Sequence, residues 1–599
     1  MKYENMSPNV SIGERIVKNP AHRAWLLDCK GRQNFNFHML TSTLPTRQGL
    51  WRAVAVKEWY KKPAVLSLFV IFSSLAIYIN SLSGDFIWDD IEQIVENPAI
   101  KDIGNIPSFF TSDLWRLISN PTIGSYYYRP FFLLSLAVDY SLWELNPFGY
   151  HITNLALHAL ASFLIYQIGR RLFLNSTPAF LGSMFFAVHP VHVESVAWIS
   201  GRTDPMAALF FLLSFYLYML FKDGKGFVML VFSLAIYLFS LLSKEIGITL
   251  PLMLLVYELS FKPQAEPKYY RIKYLKIIGA YLIISLVYLY MRALVLGEAI
   301  GEFSASPPLE KRIYTSFGVI LDYIRVMVLP VNLKLLYDVP LRESIFDLQV
   351  ISSLLLLCAV FIATLLTYRK DQMVFFAAAW FFITILPVSN IVPLRPTMMA
   401  ERYLYIPSVS ICLLGGLVFY RIYQARSSLS PYLNVLIFLS LIILSAITFQ
   451  RNRLWKDEAT YFAKMVEDAP QNTYAHHNLG ETYRKAGNMD DAIKEWQAAI
   501  QLYPLHPEAN NSLANVALMQ GNYPEAVHRY KIAIQGRPEN AESHYNIALA
   551  LERLGDAEEA ISHYREFIRR ASPKYQDIIE QVKAKLRASD IDKGQHEWK

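Results

Sequence analysis

Residues 473–504 read TYAHHNLGETYRKAGNMDDAIKEWQAAIQLYP, and residues 507–538 restate the pattern as PEANNSLANVALMQGNYPEAVHRYKIAIQGRP. Gly487, Gly521 and Gly555 recur at a spacing of 34, as do Ala492, Ala526 and Ala560. Trp496, Tyr530 and Tyr564 keep the same register, and so do Leu479, Leu513 and Ile547. Pro504 and Pro538 close the first two units. A period of this length predicts units of two antiparallel helices joined by a glycine-containing turn. The alanines let the helices approach, and the aromatic rings fill the gap between neighbouring units.

This is the tetratricopeptide period. It predicts three repeats over 473–574, a capping helix and tail over 575–599, and a connecting helix within 451–472 that carries Phe462 and Pro470. Such an array binds protein, either as a scaffold or through a concave groove that holds a peptide. The first helices of the units offer His477, Asn511, Asn515 and Tyr545 to that groove.

Upstream of the repeats the composition changes character. The 599 residues are 53% hydrophobic and 14% aromatic but only 18% charged, against about 25% charge in an average soluble domain. A crossing helix needs roughly 20 apolar residues. The first clear span is Ala64 to Leu82. Further spans are expected near 151–170, 177–196, 204–221, 226–242, 246–261, 272–292, 348–367, 372–390, 403–421 and 432–449, with 311–330 lying in the interface. The fold class is therefore all-α: a bundle of about eleven spans over 63–450, followed by a repeat solenoid. Residues 1–62 are polar and without an apolar core, so they read as a cytoplasmic extension or as sequence upstream of a start at Met39. Cys29, Cys358 and Cys412 are scattered, which argues against a disulfide framework.

Basic residues orient the bundle. With Lys57, Lys61 and Lys62 on the cytoplasmic side, every second loop should be basic. Those loops carry Arg170 and Arg171, then Lys222 and Lys225, then Lys262 to Lys276, then Arg369 and Lys370, and finally Arg421 and Arg426. The net charge of +7 is accounted for by such loops and does not call for nucleic acid as a partner. The N-terminus is thus expected in the cytoplasm of an inner or plasma membrane. The loop 83–150 and the repeats are expected on the outer or periplasmic side.

The polar motifs gather on that outer side. Asp85-Phe-Ile-Trp-Asp-Asp90 sets two adjacent carboxylates, Asp89 and Asp90, among aromatics at the membrane edge. Burial there would raise a carboxylate into the range of a general base, and the plainer alternative is a helix cap or solvated turn. Tyr126-Tyr-Tyr-Arg129-Pro130 follows, then His151, Asn154 and His158 on one face of the second span. Further on stand Phe185-Phe-Ala-Val-His189-Pro-Val-His192-Val-Glu194, Gly201-Arg202-Thr-Asp204, Ser243-Lys244-Glu245 and Met399-Ala-Glu401-Arg402-Tyr403. Ionisable groups beside spans are functional candidates by default. His189, His192 and Glu194 have some character of metal ligands, but Pro190 bends the backbone between them and no further ligand is apparent, so a divalent metal is a possible but disfavoured reading beside orientation of the carboxylates or substrate contact. Arg129, Arg202, Lys244 and Arg402 suit the oxygens of a lipid-linked phosphate. No phosphate-binding nucleotide loop is present, and no resident cofactor is expected.

Assembled, these segments resemble the transmembrane and tetratricopeptide-repeat O-mannosyltransferase family and its prokaryotic relatives. The resemblance rests on Phe86-Ile-Trp-Asp-Asp90, Tyr128-Arg-Pro130, Gly149-Tyr-His151 with Asn154 and His158, Phe186-Ala-Val-His-Pro-Val-His-Val-Glu194, Gly201-Arg-Thr-Asp204, Lys244-Glu245-x-Gly247 and Ala400-Glu-Arg-Tyr-Leu-Tyr-Ile-Pro-Ser408. Residues Phe303 to Pro340 resemble that family's domain between spans. The resemblance implies a GT-C glycosyltransferase. It implies a polyprenyl-phosphate-linked sugar as donor, mannose or another hexose, and a protein hydroxyl as acceptor. It places the catalytic carboxylate in the first outer loop, at Asp89 or Asp90. His151, His189, His192, Glu194, Asp204, Glu245 and Glu401 would then support the site. Two rival readings are a non-enzymatic membrane scaffold and a transporter of lipid-linked sugar. The scaffold leaves the outer polar set unused, and the transporter predicts charges at the bilayer midplane.

Overall fold

A computed structural model describes residues 62–115, 117, 127–261, 268–297, 307–391, 397–572 and 575–596. The expectations for residues 1–61 lie outside the described residues. Among those described, the regular structure is helical throughout. The membrane part contains α1 (Pro63–Ile77), α2 (Pro130–Trp143), α3 (Pro147–Phe173), α4 (Ser176–Ala187), α5 (Val193–Ala197), α6 (Thr203–Lys222) and α7 (Phe227–Ser243). It continues with α8 (Leu250–Ser260), α9 (Lys268–Leu296), α10 (Leu309–Val328), α11 (Leu348–Thr367), α12 (Gln372–Ile385), α13 (Ser408–Ala425) and α14 (Ser430–Asn452).

Seven of the described helices are long and apolar enough to cross a membrane: those at 63–83, 147–173, 200–222, 272–296, 348–367, 408–425 and 430–455. The other four stretches expected as spans are helical but short or broken. α4 stops at Ala187, and a tight turn at Pro190–His192 leads into the five-residue α5. α7 has 17 residues and α8 has 11, the latter entered through the turn Glu245–Thr249. α12 gives way to a turn at Leu386–Val388. The stretch 177–196 ran through the motif residues His189 to Glu194, and 246–261 began at Ile246 beside Gly247, as if they continued the helices. In the structure those residues unwind, and their freed backbone groups are satisfied inside protein rather than in lipid.

The side chains that face outward confirm the solvent. Leu68, Phe69 and Phe72 on α1, Leu355, Leu356 and Leu366 on α11, and Leu436, Phe438 and Ile443 on α14 are all exposed. Rows of large apolar groups like these are at home in hydrocarbon, not in water. Inside, small and hydroxylated residues join the helices, as expected where lipid offers no hydrophobic drive. Ser214 donates to the Ser233 carbonyl at 2.7 Å, and the Ser233 and Tyr281 hydroxyls meet at 2.6 Å. A Cβ on Gly416 would stand 2.4 Å from the Pro178 carbonyl, so only glycine permits the close crossing of α4 and α13.

The chain leaves the bundle through α15 (Glu458–Asp468) and enters three helix pairs: α16 (Thr473–Lys485) with α17 (Met489–Leu502), α18 (Pro507–Met519) with α19 (Tyr523–Gly536), and α20 (Ala541–Leu554) with α21 (Ala557–Arg570). α22 (Gln576–His596) closes the array. Capping repeats with the sequence. Asn472, His506 and Asn540 cap the first helices, and Asn488, Asn522 and Asp556 cap the second, each accepting an N–H three residues on. The turn glycine holds φ of 80, 75 and 87° in the three units, a left-handed conformation that glycine adopts without a Cβ penalty. One further bond recurs at each step. His476, Asn510 and His544 donate to the carbonyls of Pro470, Pro504 and Pro538 at 3.1, 3.0 and 3.0 Å.

The loop after α1 and the start of the repeats lie at the same end of the bundle. The Asp85 N–H donates to the Lys456 carbonyl at 2.8 Å, and Trp88 Nε1 donates to the Tyr474 hydroxyl at 2.8 Å. The broken ends of α4, α7 and α12 converge there too.

Candidate active site

At that end, Asp89 faces a cavity of about 80 Å³ whose wall includes Arg129, Trp198, Ser200, Lys244, Arg402 and Tyr403. The residue before Asp89 has an unusual backbone conformation. Trp88 has φ of 54°, a costly conformation for a bulky side chain, of order 1–3 kcal/mol. Its indole is fixed by stacking on Trp198 at 4.9 Å and on Tyr461 at 5.6 Å. Trp198 stacks in turn on Trp455 at 5.8 Å. The backbone of the carboxylate loop is thus held in a strained turn by an aromatic stack drawn from three separate parts of the chain.

The two carboxylates are unlike. Asp90 is fully buried and accepts from the Ile87 N–H at 3.2 Å, the Ser200 N–H at 2.9 Å and the Ser200 hydroxyl. Its role in the structure is that of a brace between the loop and the 200–204 turn. Asp89 is partly exposed, and among the described residues no N–H or O–H donates to it. Burial first, and then the neighbouring Asp90, push Asp89 up to about 7, against the pull of Arg402. Burial pushes Asp90 to about 7 as well, with the Ser200 and Ile87 bonds opposing.

Each cation on the cavity wall is delivered by a motif carboxylate. Arg129 lies 3.0 Å from Glu245, whose second oxygen is 3.1 Å from Arg292. Lys244 is paired with Asp204. Arg402 is paired with Glu194, which also accepts the Arg402 backbone N–H at 2.9 Å. The Arg402 guanidinium lies 5.0 Å from the Tyr403 ring and 5.9 Å from that of Trp198. Arg129 Nε is buried and has no partner among the described residues. Three cations in a low-dielectric recess beside one available carboxylate form a place that can take a phosphate and accept a proton.

Other residues expected in the site stand elsewhere. Arg202 does not reach the cavity. It is completely buried and pairs with Asp139 at 2.5 Å, and it donates to Asn154 Oδ1 at 3.0 Å and to the Tyr150 carbonyl at 2.9 Å. Its fork is saturated by protein, so a phosphate role is corrected to a structural one. Glu401 accepts from the Tyr337 hydroxyl at 2.8 Å and from Arg451 at 2.9 Å, which ties the loop after α10 to the end of α14. His151 packs beneath Gly84, which brings α3 against the start of the carboxylate loop. His189 Nε2 bonds the Met327 carbonyl at 3.0 Å. His192 bonds the Phe186 carbonyl at 2.9 Å and the Ser408 hydroxyl at 2.8 Å. Both histidines hold the unwound 188–198 segment, and among the described residues no three His, Cys, Asp or Glu side chains converge as a metal site.

Arg292, Arg451, Asp139 and Tyr337 were not singled out from the sequence. A signal existed for two of them. Arg292 and Asp139 are charges set within otherwise apolar helices, where an ionised group needs a partner. Tyr337 and Arg451 carry no local sign.

On the repeats, His477, Asn511 and Asn515 line a groove of about 640 Å³ together with Glu481, Trp496 and Glu542. Tyr545 does not. Its ring packs on Tyr564 at 6.0 Å and Phe567 at 5.1 Å, on the side that receives the capping helix.

Fold and site together define an integral membrane protein whose ionised cluster adjoins a tetratricopeptide array. The tetratricopeptide-repeat family profile matches residues 477–527 and 511–575. Over 471 residues the chain is 28% identical to the protein O-mannosyl-transferase F38B6.6 of Caenorhabditis elegans, covering 76% of this chain and 65% of that protein. It is 28% identical over 516 residues to the protein O-mannosyl-transferase TMTC1 of Homo sapiens, covering 75% and 56%. It is 26% identical over 474 residues to the protein O-mannosyl-transferase TMTC3 of Homo sapiens, covering 72% and 50%. The family resemblance carried by the motifs is borne out. The chain matches half to two thirds of the length of these relatives.

Proposed function

We propose that the chain is an inverting glycosyltransferase that moves a hexose from a polyprenyl phosphate to a protein hydroxyl. The observation that carries this reading is Asp89, held at the bundle end with Arg129, Lys244 and Arg402 on the same cavity wall. Asp89 takes the proton of an acceptor Ser or Thr hydroxyl. The oxygen attacks the sugar C1 from the face opposite the phosphate, and the bond from C1 to the phosphate oxygen breaks. The charge that develops on the departing lipid phosphate is met by the three cations, which are already oriented by Glu245, Asp204 and Glu194. The cost of aiming them is met in folding rather than at the moment of reaction.

In this reading the bundle end with the cavity faces the outer or periplasmic side, in line with the basic loops at the other end. The groove over His477, Asn511 and Asn515 binds the acceptor protein and raises its concentration at the cavity. The names of the relatives support mannose as the sugar.

The test is transfer by the purified full chain in lipid nanodiscs, supplied with polyprenyl-phosphate mannose and a serine- and threonine-containing peptide. A gain of one hexose on the peptide, read by mass spectrometry and absent with Asp89→Asn, is expected. Full transfer by Asp89→Asn would overturn the assignment of the base.

A further inference from the structure

The helix that opens the repeat array also touches the carboxylate loop. Tyr474 stands in the first turn of α16, and its hydroxyl accepts the Trp88 Nε1 hydrogen bond at 2.8 Å across 386 residues of chain. Trp88 immediately precedes Asp89 and is the residue with the left-handed backbone. Its indole is clasped by Trp198 from the membrane part and by Tyr461 from α15, the helix that leads into the repeats. Two of the three contacts that fix the Trp88 ring therefore come from beyond the last span.

The same tyrosine shares a helix face with two residues of the groove. Tyr474, His477 and Glu481 stand at i, i+3 and i+7 of α16, which places them on one side of the helix. His477 and Glu481 line the groove, and Tyr474, 47% exposed, stands about one turn before His477 on the same helix face. One helix therefore carries both the hydroxyl that holds Trp88 and side chains of the surface that would hold an acceptor.

We infer that Tyr474 and Trp88 are positioning residues for Asp89, so that the repeat array is part of the catalytic apparatus as well as a docking arm. A strained residue keeps its conformation only while its surroundings over-determine it. The indole N–H bond to Tyr474 is one of those constraints. Loss of it lets the turn at 88 relax and moves the Asp89 carboxylate away from its place opposite the cations. An acceptor lying against Tyr474 would act on the same bond. The inference rests on the reading of Asp89 as the base.

The test uses the full chain in nanodiscs and two readouts. Hydrogen–deuterium exchange of the segment 85–93 reports the loop itself, independent of any activity. Transfer from polyprenyl-phosphate mannose is measured to a serine- and threonine-containing peptide too short to span the groove, so that docking on the repeats does not enter. Tyr474→Phe keeps the ring and removes the acceptor hydroxyl. Trp88→Phe keeps an aromatic ring in the stack and removes the donor. Each is expected to speed exchange in 85–93, and to lower kcat about tenfold or more with KM for the peptide held. The double variant is expected to lose no more than either alone, because both remove one bond. Unchanged exchange in Tyr474→Phe overturns the inference whatever the activity. Faster exchange with unchanged kcat, while Asp89→Asn is inactive, also overturns it and leaves the proposed function standing. Full activity of Asp89→Asn overturns the proposed function and, with it, the positioning role.

Discussion

Ser200 donates twice to Asp90, through its backbone N–H at 2.9 Å and through its hydroxyl, both to the same oxygen. That pairing separates two carboxylates which sequence leaves equivalent. Asp90 braces the loop, and Asp89 is left facing the cavity. Asp89→Asn is expected to reduce transfer by at least a thousandfold while thermal unfolding in detergent stays where it was. Asp90→Asn is expected to lower stability by about 1–3 kcal/mol, since it disturbs three buried hydrogen bonds. The check is one thermal melt and one transfer assay on each variant. A stable Asp90→Asn beside an unfolded Asp89→Asn would reverse the assignment.

The pH dependence follows from the Asp89 carboxyl, which burial and Asp90 hold up to about 7. A base acts only when deprotonated. Transfer is therefore expected to rise with pH up to about 7 and then level off, with kcat/KM falling about tenfold for each unit below. A donor phosphate bound nearby would add a like charge and shift the limb of the kcat profile to higher pH. A rate flat from pH 5 to 8 would count against this base.

The arginines divide by their surroundings. Arg402 and Arg129 line the cavity, so Arg402→Lys and Arg129→Lys are expected to raise the donor KM about ten- to a hundredfold, as for loss of charge-assisted hydrogen bonds. Arg202 is buried against Asp139, and removing one partner of such a pair costs about 3–5 kcal/mol. Arg202→Met should therefore fail in yield and melting temperature, with donor KM unchanged in whatever folds. Donor titrations beside detergent melts distinguish the two classes.

Glu245 bridges Arg129 and Arg292 at 3.0 and 3.1 Å. Arg292→Met removes one of the partners of Glu245 and lets Arg129 be drawn toward it. A rise of about tenfold in donor KM is expected, from a residue on α9 that does not line the cavity. The double substitution Arg292→Met with Arg129→Lys should show less than the product of the two effects.

Tyr545 provides the control for the repeats. It packs on Tyr564 and Phe567, so Tyr545→Ala is expected to destabilise the last repeat by about 3 kcal/mol. Asn515→Ala removes a groove side chain that accepts from Asn546 at 3.0 Å, and is expected to raise the KM of a long acceptor but not of a short one. Comparing the two acceptors on both variants checks the division.

The sequence by itself determined the elements whose physics is local. The 34-residue register placed the turn glycines and the buried alanines, because each is set by neighbours within one helix pair. Apolar runs located the helices of the bundle, because lipid demands them residue by residue. The motif list also contained the carboxylate that pairs with each cavity cation, Glu245, Asp204 and Glu194, but not Arg292, which shares Glu245 with Arg129. Pro190 and the Lys244–Glu245 turn were legible as breaks, but tertiary structure decided that the run 177–196 stops as a helix at Ala187, where packed protein satisfies the freed backbone. It alone divided Asp89 from Asp90, and took Arg202 and Tyr545 out of the roles their spacing offered. The reason is the same in each case. A charge or ring is assigned by the partner it meets, and those partners, Ser200, Asp139 and Phe567, are brought in by helices distant from it in sequence or by the neighbouring helix of its own repeat. The bond from Trp88 to Tyr474 is the extreme instance, joining two groups at a sequence separation of 386 through one hydrogen.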